Sequence, residues 1–139
     1  MTVRQVVVGE DGRAKAYRPL PDDDRVAAVA AGLKAYDTGD FFEAHELLEP
    51  AWMGTPDLAE RNLIQGLIKV AAAYVHGVRG NPAGIRRNLE GARDRLRSGA
   101  TGSITGIVVD VSAVEHEIDA RLAGTTDAAL PITITWRRR

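Results

Sequence analysis

Signals that end one helix and begin the next recur along this chain and divide it into segments of helical length. Gly39, Gly80 and Gly124 each follow a stretch whose apolar residues recur at helical spacing, and glycine readily adopts the left-handed conformation that ends a helix. Asp40 and the pair Asn81-Pro82 come directly after two of these glycines, where they suit the start of a helix. The pattern predicts helices over about residues 23–37, 40–52, 56–78 and 110–123, with a further helix that begins at Pro82.

Extended structure is predicted only near the two ends of the chain. Val6–Val8 suit a short extended piece ended by a turn at Gly9–Gly12, and Pro131–Trp136 alternate as a strand does. A flexible connector is predicted at residues 98–106. We therefore predict an all-α fold, a single-domain antiparallel helical bundle of about five helices over residues 22–124. An extended N-terminal arm at 1–21 and an extended C-terminal tail at 125–139 flank it.

Composition limits the classes of function that this chain can serve. Its 139 residues carry a formal net charge of -1, so general attraction to nucleic acid or to an anionic membrane is not expected. The absence of cysteine excludes disulfides and thiolate catalysis. No signal-peptide core opens the chain, and the longest apolar run, Val70–Val75, is far too short to span a bilayer. We expect a cytoplasmic protein that binds neither nucleic acid nor membrane.

Residues 39–53 carry the densest group of side chains that suit chemistry. At the helical step of 100° per residue, three ionisable residues share one arc with three aromatic residues: His45, Glu46, Glu49, Phe41, Phe42 and Trp52. Aromatic side chains favour burial, and buried ionisable groups need partners or a metal. Pro50 has no N–H for the carbonyl of Glu46 and disfavours helical geometry at Glu49, which predicts a kink or a tightened last turn before Trp52.

Three hypotheses fit the segment His45–Glu49. His45 and Glu49 lie one helical turn apart, as metal ligands on a helix do, although the segment matches the zinc-protease pattern His-Glu-x-x-His only in part. Alternatively, Glu46 or His45 would act as a general acid or base without metal, because burial raises the pKa of a carboxyl group. The third hypothesis, which we favour, is a polar ladder that fixes how two helices pack.

Hairpin geometry indicates which residues of the third helix face this segment. If helices two and three turn at residues 53–56, facing residues have numbers that sum to roughly 110. Gln65 then lies opposite His45, and Arg61 lies opposite Glu49. His76 is displaced from Gln65 by roughly 16 Å along the helix. A metal site with His45 and Glu49 would therefore need strongly crossed helices or a contact between subunits, and it is disfavoured in a straight hairpin. We expect His76 to bond to a neighbouring loop instead.

The remaining charged residues are predicted to be solvated. His116 lies between Glu115 and Glu117 on a polar face, and Glu117 suits an exposed reference position for mutation. No aromatic residues are interleaved with the arginines of the fourth helix, so no binding of nucleic acid is expected. These arginines are Arg86, Arg87, Arg93, Arg95 and Arg97.

Between residues 36 and 97 several motifs follow one another in a fixed order. They are Tyr36-Asp37, Gly39–Glu49 with Trp52, Gln65–Ile68 with Ala71–Ala73, and His76 with Arg79–Asn81 and Gly84. Together they resemble the hallmark of the family named domain of unknown function 309. The resemblance implies a small, cytosolic, all-helical protein with no established activity. It also implies that the family's characteristic polar positions fall here on His45, Glu46, Glu49, Gln65 and His76, while Pro50 departs from the commoner pattern.

We predict a binding or interaction module for a small-molecule or protein partner. Its semi-buried polar cluster comprises His45, Glu46, Glu49, Trp52, Arg61, Gln65 and His76. The alternative is a small metal-dependent or acid–base hydrolase-like enzyme with His45, Glu46 and Glu49 as catalytic candidates. His45 and Glu49 are the candidate metal ligands, but neither a metal nor another cofactor is favoured.

The apolar arms suggest a homodimer. A lone pair of short strands is marginal in water, so each arm needs a surface to pack on. Either the arms lie across their own bundle, or they reach over a partner subunit with Trp136 as an anchor. We favour the second arrangement, since symmetric dimers are the commonest oligomers.

Overall fold

The computed structural model describes residues 6–8, 14–16, 18–99 and 103–139, with side chains from residue 18 onward. Five helices make up most of this part and confirm the predicted all-α bundle. The helices are α1 (Asp22–Asp37), α2 (Phe41–Met53), α3 (Leu58–Val78), α4 (Pro82–Ser98) and α5 (Val111–Leu122). Four short strands accompany them: β1 (Val6–Val8), β2 (Ala14–Ala16), β3 (Ile107–Val109) and β4 (Trp136–Arg138). None of the described helices is long and apolar enough to cross a membrane.

Side-chain caps explain where three of the helices begin. The side chain of Asp40 accepts a hydrogen bond from the backbone N–H of Glu43 at 3.2 Å, Asn81 accepts one from Gly84 at 3.2 Å, and Asp110 accepts one from Ala113 at 3.0 Å. Each bond satisfies a backbone donor that has no partner inside the helix. The acids and the amide that the sequence places at these three starts therefore act as caps.

The start of α3 differs from the prediction of a helix from residue 56. Asp57 is the cap and accepts from the N–H of Glu60 at 2.8 Å, so the helix begins at Leu58. Thr55 is fully buried, and its hydroxyl donates to the carbonyl of Ala51 at 2.7 Å. The side chain of Thr55 is therefore bonded to the last turn of α2 and does not cap α3.

Helix α3 is the centre of the bundle and packs against α2 on one side and α4 on the other. Leu67, Val70 and Tyr74 are at most 1 % exposed along it. A Cβ added to Gly66 would lie 2.7 Å from a side-chain atom of Leu96 in α4, so the missing side chain allows the two helices to approach closely. The long apolar arc of α3 thus takes the central position that its width predicts.

Pro50 does not end α2, which continues to Met53. The last turn closes through the N–H of Gly54, which donates to the carbonyls of Pro50 at 3.0 Å and Ala51 at 3.2 Å. The bond from Gly54 to Ala51 spans three residues and so is of the tightened type, and Pro50 itself donates no hydrogen bond to the carbonyl of Glu46. Trp52 stays in the helix and is 5 % exposed.

The C-terminal tail lies across its own bundle. Ile132 and Ile134 are 1 % and 4 % exposed, and Trp136 donates from its ring N–H to Asp37 at 2.8 Å. The strand predicted at 131–136 occurs later, at Trp136–Arg138, where it pairs antiparallel with β3. The apolar residues of the C-terminal tail are thus buried against their own bundle. Their burial therefore does not require a partner subunit.

A buried arginine of α5 holds this tail in place. Arg121 is 5 % exposed, and its guanidinium donates to the carbonyls of Leu130 at 2.7 Å, Pro131 at 3.3 Å and Glu117 at 3.0 Å. The carboxylate of Glu117 lies 3.7 Å from the same guanidinium and accepts from the N–H of Thr133 at 3.3 Å. Glu117 is therefore not the exposed reference position that its neighbours in sequence suggested, because the returning tail covers it.

The connector between α4 and α5 is anchored where the structure describes it. Thr105 donates from its N–H to the carboxylate of Glu60 at 2.7 Å, and Ile104 is 4 % exposed. The predicted flexibility therefore does not extend to residues 103–106, while residues 100–102 lie outside the described residues. Strand β3, which the sequence did not predict, follows immediately.

The N-terminal arm contains a second antiparallel pair, in which Val6 faces Ala16 and Val8 faces Ala14. The extended piece predicted at Val6–Val8 is present as β1. The turn predicted at Gly9–Gly12 lies outside the described residues. The N-terminal arm and the C-terminal tail thus each contain a strand of three residues.

Two buried tyrosines are expected to make the fold less stable at alkaline pH. Burial, and then the neighbouring Tyr74, raise the pKa of Tyr36, whose hydroxyl donates to the carbonyl of Ile132 at 2.5 Å. Burial raises the pKa of Tyr74 to about 12 from 10.0, although Arg121 and the backbone of Ile132 oppose the shift. The hydroxyl of Tyr74 nevertheless forms no hydrogen bond of normal geometry with any described group.

Above pH 10 the unfolded chain loses these protons first, so the folded state binds more protons and stability falls as pH rises. We expect the free energy of unfolding to fall by about 1.4 kcal/mol per pH unit for each retained proton. Urea denaturation at pH 8, 10 and 11 measures this loss. Tyr74→Phe should remove the contribution of that residue to the pH dependence of stability, because phenylalanine has no proton to lose. An unchanged slope in Tyr74→Phe would contradict the assignment.

Candidate functional site

The residues that the sequence places on one face of α2 differ in their exposure to solvent. Trp52 is buried and His45 is half-buried, its side chain 25 % exposed, whereas the side chain of Glu46 is 55 % exposed. Nδ1 of His45 lies 3.6 Å from a carboxylate oxygen of Glu46. Phe42 is 58 % exposed, while Phe41 packs edge-on against Tyr36 with ring centroids 5.2 Å apart. Glu46 therefore faces solvent and lacks the aromatic cover that the arc predicted.

The polar residues of α3 occupy several different surroundings. Arg61 is half-buried, and Gln65 is 4 % exposed with an amide nitrogen that has no hydrogen-bond partner in the described part of the chain. Nδ1 of His76 lies 3.2 Å from the amide nitrogen of Asn81, at the turn into α4. A Cβ on Gly84 would lie 2.5 Å from the ring of His76, so the ring packs directly on the first turn of α4.

Two residues of the predicted polar ladder interact with other groups, but the specific pairs of the ladder are still predictions. His45 and Glu49 both interact with other groups of the protein. The pairing of His45 with Gln65 and of Glu49 with Arg61 stays a prediction from hairpin geometry. Among the described residues, no group of three or more histidine, aspartate or glutamate side chains is arranged to hold a metal ion.

A groove lies beside the exposed half of the α2 arc. It has a volume of about 440 Å³ and is lined by Arg18, Pro19, Leu20, Glu46, Glu49, Pro50 and Met53. One wall is the second half of α2, and the other is the extended segment 18–20, which leads from the N-terminal arm into α1. Two of the three catalytic candidates, Glu46 and Glu49, therefore line the same groove.

Backbone hydrogen bonds fix the two walls against each other. The N–H of Arg18 donates to the carbonyl of Met53 at 3.1 Å, and the N–H of Leu20 donates to the carbonyl of Gly54 at 3.3 Å. A Cβ on Gly54 would lie 2.6 Å from the Cβ of Leu20 and 2.8 Å from the carbonyl oxygen of Arg18. Gly54 is thus required by the close approach of the two backbones, whose hydrogen bonds hold the two walls of the groove together.

Two carboxylates, one cation and apolar side chains line this groove. Glu46 and Glu49 provide carboxylates, and the carbonyl of Glu46 lacks the helical donor that any residue other than proline would supply at position 50. Pro19, Leu20 and Met53 supply apolar surface, and Arg18 is the cation among the lining residues. This arrangement suits a ligand that donates hydrogen bonds and carries a short apolar part.

Sequence reasoning identified the glutamates and the proline of this groove but not its second wall. The segment Arg18-Pro19-Leu20 carries no pattern that predicts contact with the end of α2. The one available signal was the pair Pro19 and Pro21, which hold the chain extended and so leave its backbone groups available for pairing.

One of three comparisons with known proteins gives a match for this chain. Neither the search of curated proteins nor the search of solved structures found a match. Residues 29–88, from the middle of α1 to the middle of α4, match the model of a family described as Domain of unknown function (DUF309). These residues include all of α2 and α3 and therefore every residue of the predicted polar cluster. The match confirms the resemblance to this family of unknown function.

Proposed function

We propose that the protein is a binding module and that the groove between residues 18–20 and α2 takes a small ligand with an ammonium or guanidinium group. The observation that carries the proposal is the carboxylate of Glu46, which is 55 % exposed and belongs to a residue that lines the groove. A cationic donor would bond to this carboxylate. A short apolar part of the ligand would contact Leu20 and Met53.

The geometry supports binding better than acid–base catalysis. Glu46 is more than half exposed, so the enclosed apolar surroundings that make a carboxyl group a general acid are missing around it. Glu49 is half-buried and already interacts with another group of the protein. Glu46 is therefore the residue that we assign to ligand recognition, and Glu49 contributes negative charge to the groove wall.

Matched probes separate a cation site from a merely apolar one. Hexylamine and hexanol share one alkyl chain, but only hexylamine carries an ammonium group at neutral pH. We expect hexylamine to shift the backbone amide resonances of Leu20, Ala51 and Met53 with a millimolar dissociation constant, equivalent to about -4 kcal/mol. Hexanol should bind at least about tenfold more weakly, since it lacks the charged hydrogen bond.

Two variants of α2 test the assigned residue. Glu46→Gln should weaken hexylamine binding about tenfold by removing the charge-assisted bond. Glu43→Gln changes an exposed acid on the same helix outside the groove lining and should have no effect. Equal shifts with hexylamine and hexanol, or equal binding by the two variants, would refute the cation site.

A further inference from the structure

A second hollow lies at one end of the bundle, where the turn between α1 and α2 meets the end of α3. It has a volume of about 330 Å³ and is lined by Gly39, Asp40, Phe41, Phe42, Val75, Val78 and Arg79. Phe42 and Val78 are 58 % and 81 % exposed. Single exposed apolar side chains are ordinary, but two beside one hollow form a patch that suits contact with another molecule.

Opposite charges flank this patch. Asp40 and Arg79 both line the hollow, and both are exposed. The carboxylate of Asp40 accepts one hydrogen bond from the N–H of Glu43 and keeps further acceptor capacity. A partner that fits the patch must therefore offer an apolar centre, one base and one acid.

We propose that this partner is a second copy of the chain, related to the first by a two-fold axis. A two-fold contact brings the same patch of both copies together, so a patch with one acid, one base and an apolar centre is complementary to itself. Phe42 of each copy enters the hollow of the other, and Asp40 of each faces Arg79 of the other. This hollow shares no lining residue with the groove of Glu46, so the inference is independent of the proposed function.

The expected dimer is weak. Seven residues line the hollow, whereas a standard stable interface involves about 20–30 residues on each side. We therefore expect dissociation in the upper micromolar range. Sedimentation velocity of the full chain, from about 1 µM to about 1 mM, should show the average mass rising from 15.0 kDa toward twice that value. A constant monomer mass across this range would overturn the proposal.

A matched pair of apolar variants locates the contact. Phe42→Ser should weaken association at least about tenfold, because a central aromatic residue is lost. Leu58→Ser removes a side chain that is 63 % exposed and lies outside the hollow, so it should leave association unchanged. Equal effects of the two variants, or no effect of Phe42→Ser, would place any dimer elsewhere and reject the proposal.

Charge exchange tests the two-fold arrangement itself. Arg79→Glu places two acids opposite each other in its own dimer, and Asp40→Lys places two bases opposite each other, so each variant alone should be monomeric. An equimolar mixture should associate, because both contacts then join opposite charges. Circular dichroism of Asp40→Lys verifies that α2 still forms without its cap. A folded mixture that fails to associate more than either variant alone would contradict the two-fold contact.

Discussion

Arg121→Met is expected to destabilise the fold by about 3–5 kcal/mol. The substitution keeps the apolar length of the side chain but leaves the carbonyls of Leu130 and Pro131 without their donor. It also removes the cation beside the carboxylate of Glu117, which is partly covered by the tail. Typical domains are stable by only about 5–15 kcal/mol, so the loss should be visible as a large shift of the urea midpoint.

The tail itself provides an independent measurement of this effect. If Arg121 holds the tail, the ring N–H of Trp136 should lose its bond to Asp37, and the tryptophan resonance should move toward its unfolded position at urea concentrations where the helices persist. Arg87→Met is the matched control, since Arg87 is exposed on α4. The same midpoint for both variants would show that the hydrogen bonds of Arg121 contribute nothing net.

Glu60→Ala is expected to cost about 3 kcal/mol, because it removes a buried acceptor. Glu60 is 6 % exposed, and its carboxylate accepts from the N–H of Thr105 at 2.7 Å and from the hydroxyl of Thr105 at 3.2 Å. The same hydroxyl lies 3.4 Å from the guanidinium of Arg25, which is itself 8 % exposed. One glutamate therefore joins α3 to the connector and, through Thr105, to α1.

Hydrogen exchange at Thr105 distinguishes a local role of Glu60 from a general loss of stability. The amide of Thr105 should be protected in the wild-type chain and in Glu60→Gln, whose amide oxygen still accepts, but not in Glu60→Ala. Glu43→Ala removes an exposed acid of α2 and serves as the control for stability. Protection that survives in Glu60→Ala would mean that Thr105 is held by other contacts.

The homodimer that we propose uses a different surface from the one that the sequence suggested. The sequence suggested dimerisation through apolar arms, but Ile132 and Ile134 are buried on their own chain. The self-complementary hollow at Phe42 offers a surface that stays exposed in the single chain. The helical spacing of Phe42 predicts a buried position, but its side chain is 58 % exposed. An exposed aromatic side chain is available for contact with another molecule.

Helix content and helix order were determined by the sequence itself. Apolar residues at helical spacing, Asp40, Asn81 and Asp110 as caps, and the glycines between helices act over only a few residues, so they can be read locally. The family resemblance of residues 29–88 was likewise visible in motifs that are contiguous along the chain. The wide apolar arc of α3 indicated its central position for the same reason.

Only the tertiary structure decided which polar side chains are buried and what surrounds them. Arg121, Glu117 and Glu60 resemble ordinary helix-surface residues in sequence. Their burial comes from segments outside their own helices, such as Thr105 on Glu60 and Pro131 on Arg121. The groove likewise needs Arg18 beside Met53, a contact across 35 positions that no local pattern encodes. Helical periodicity specifies the face of a side chain but not the segment that covers it, because coverage depends on where the rest of the chain folds.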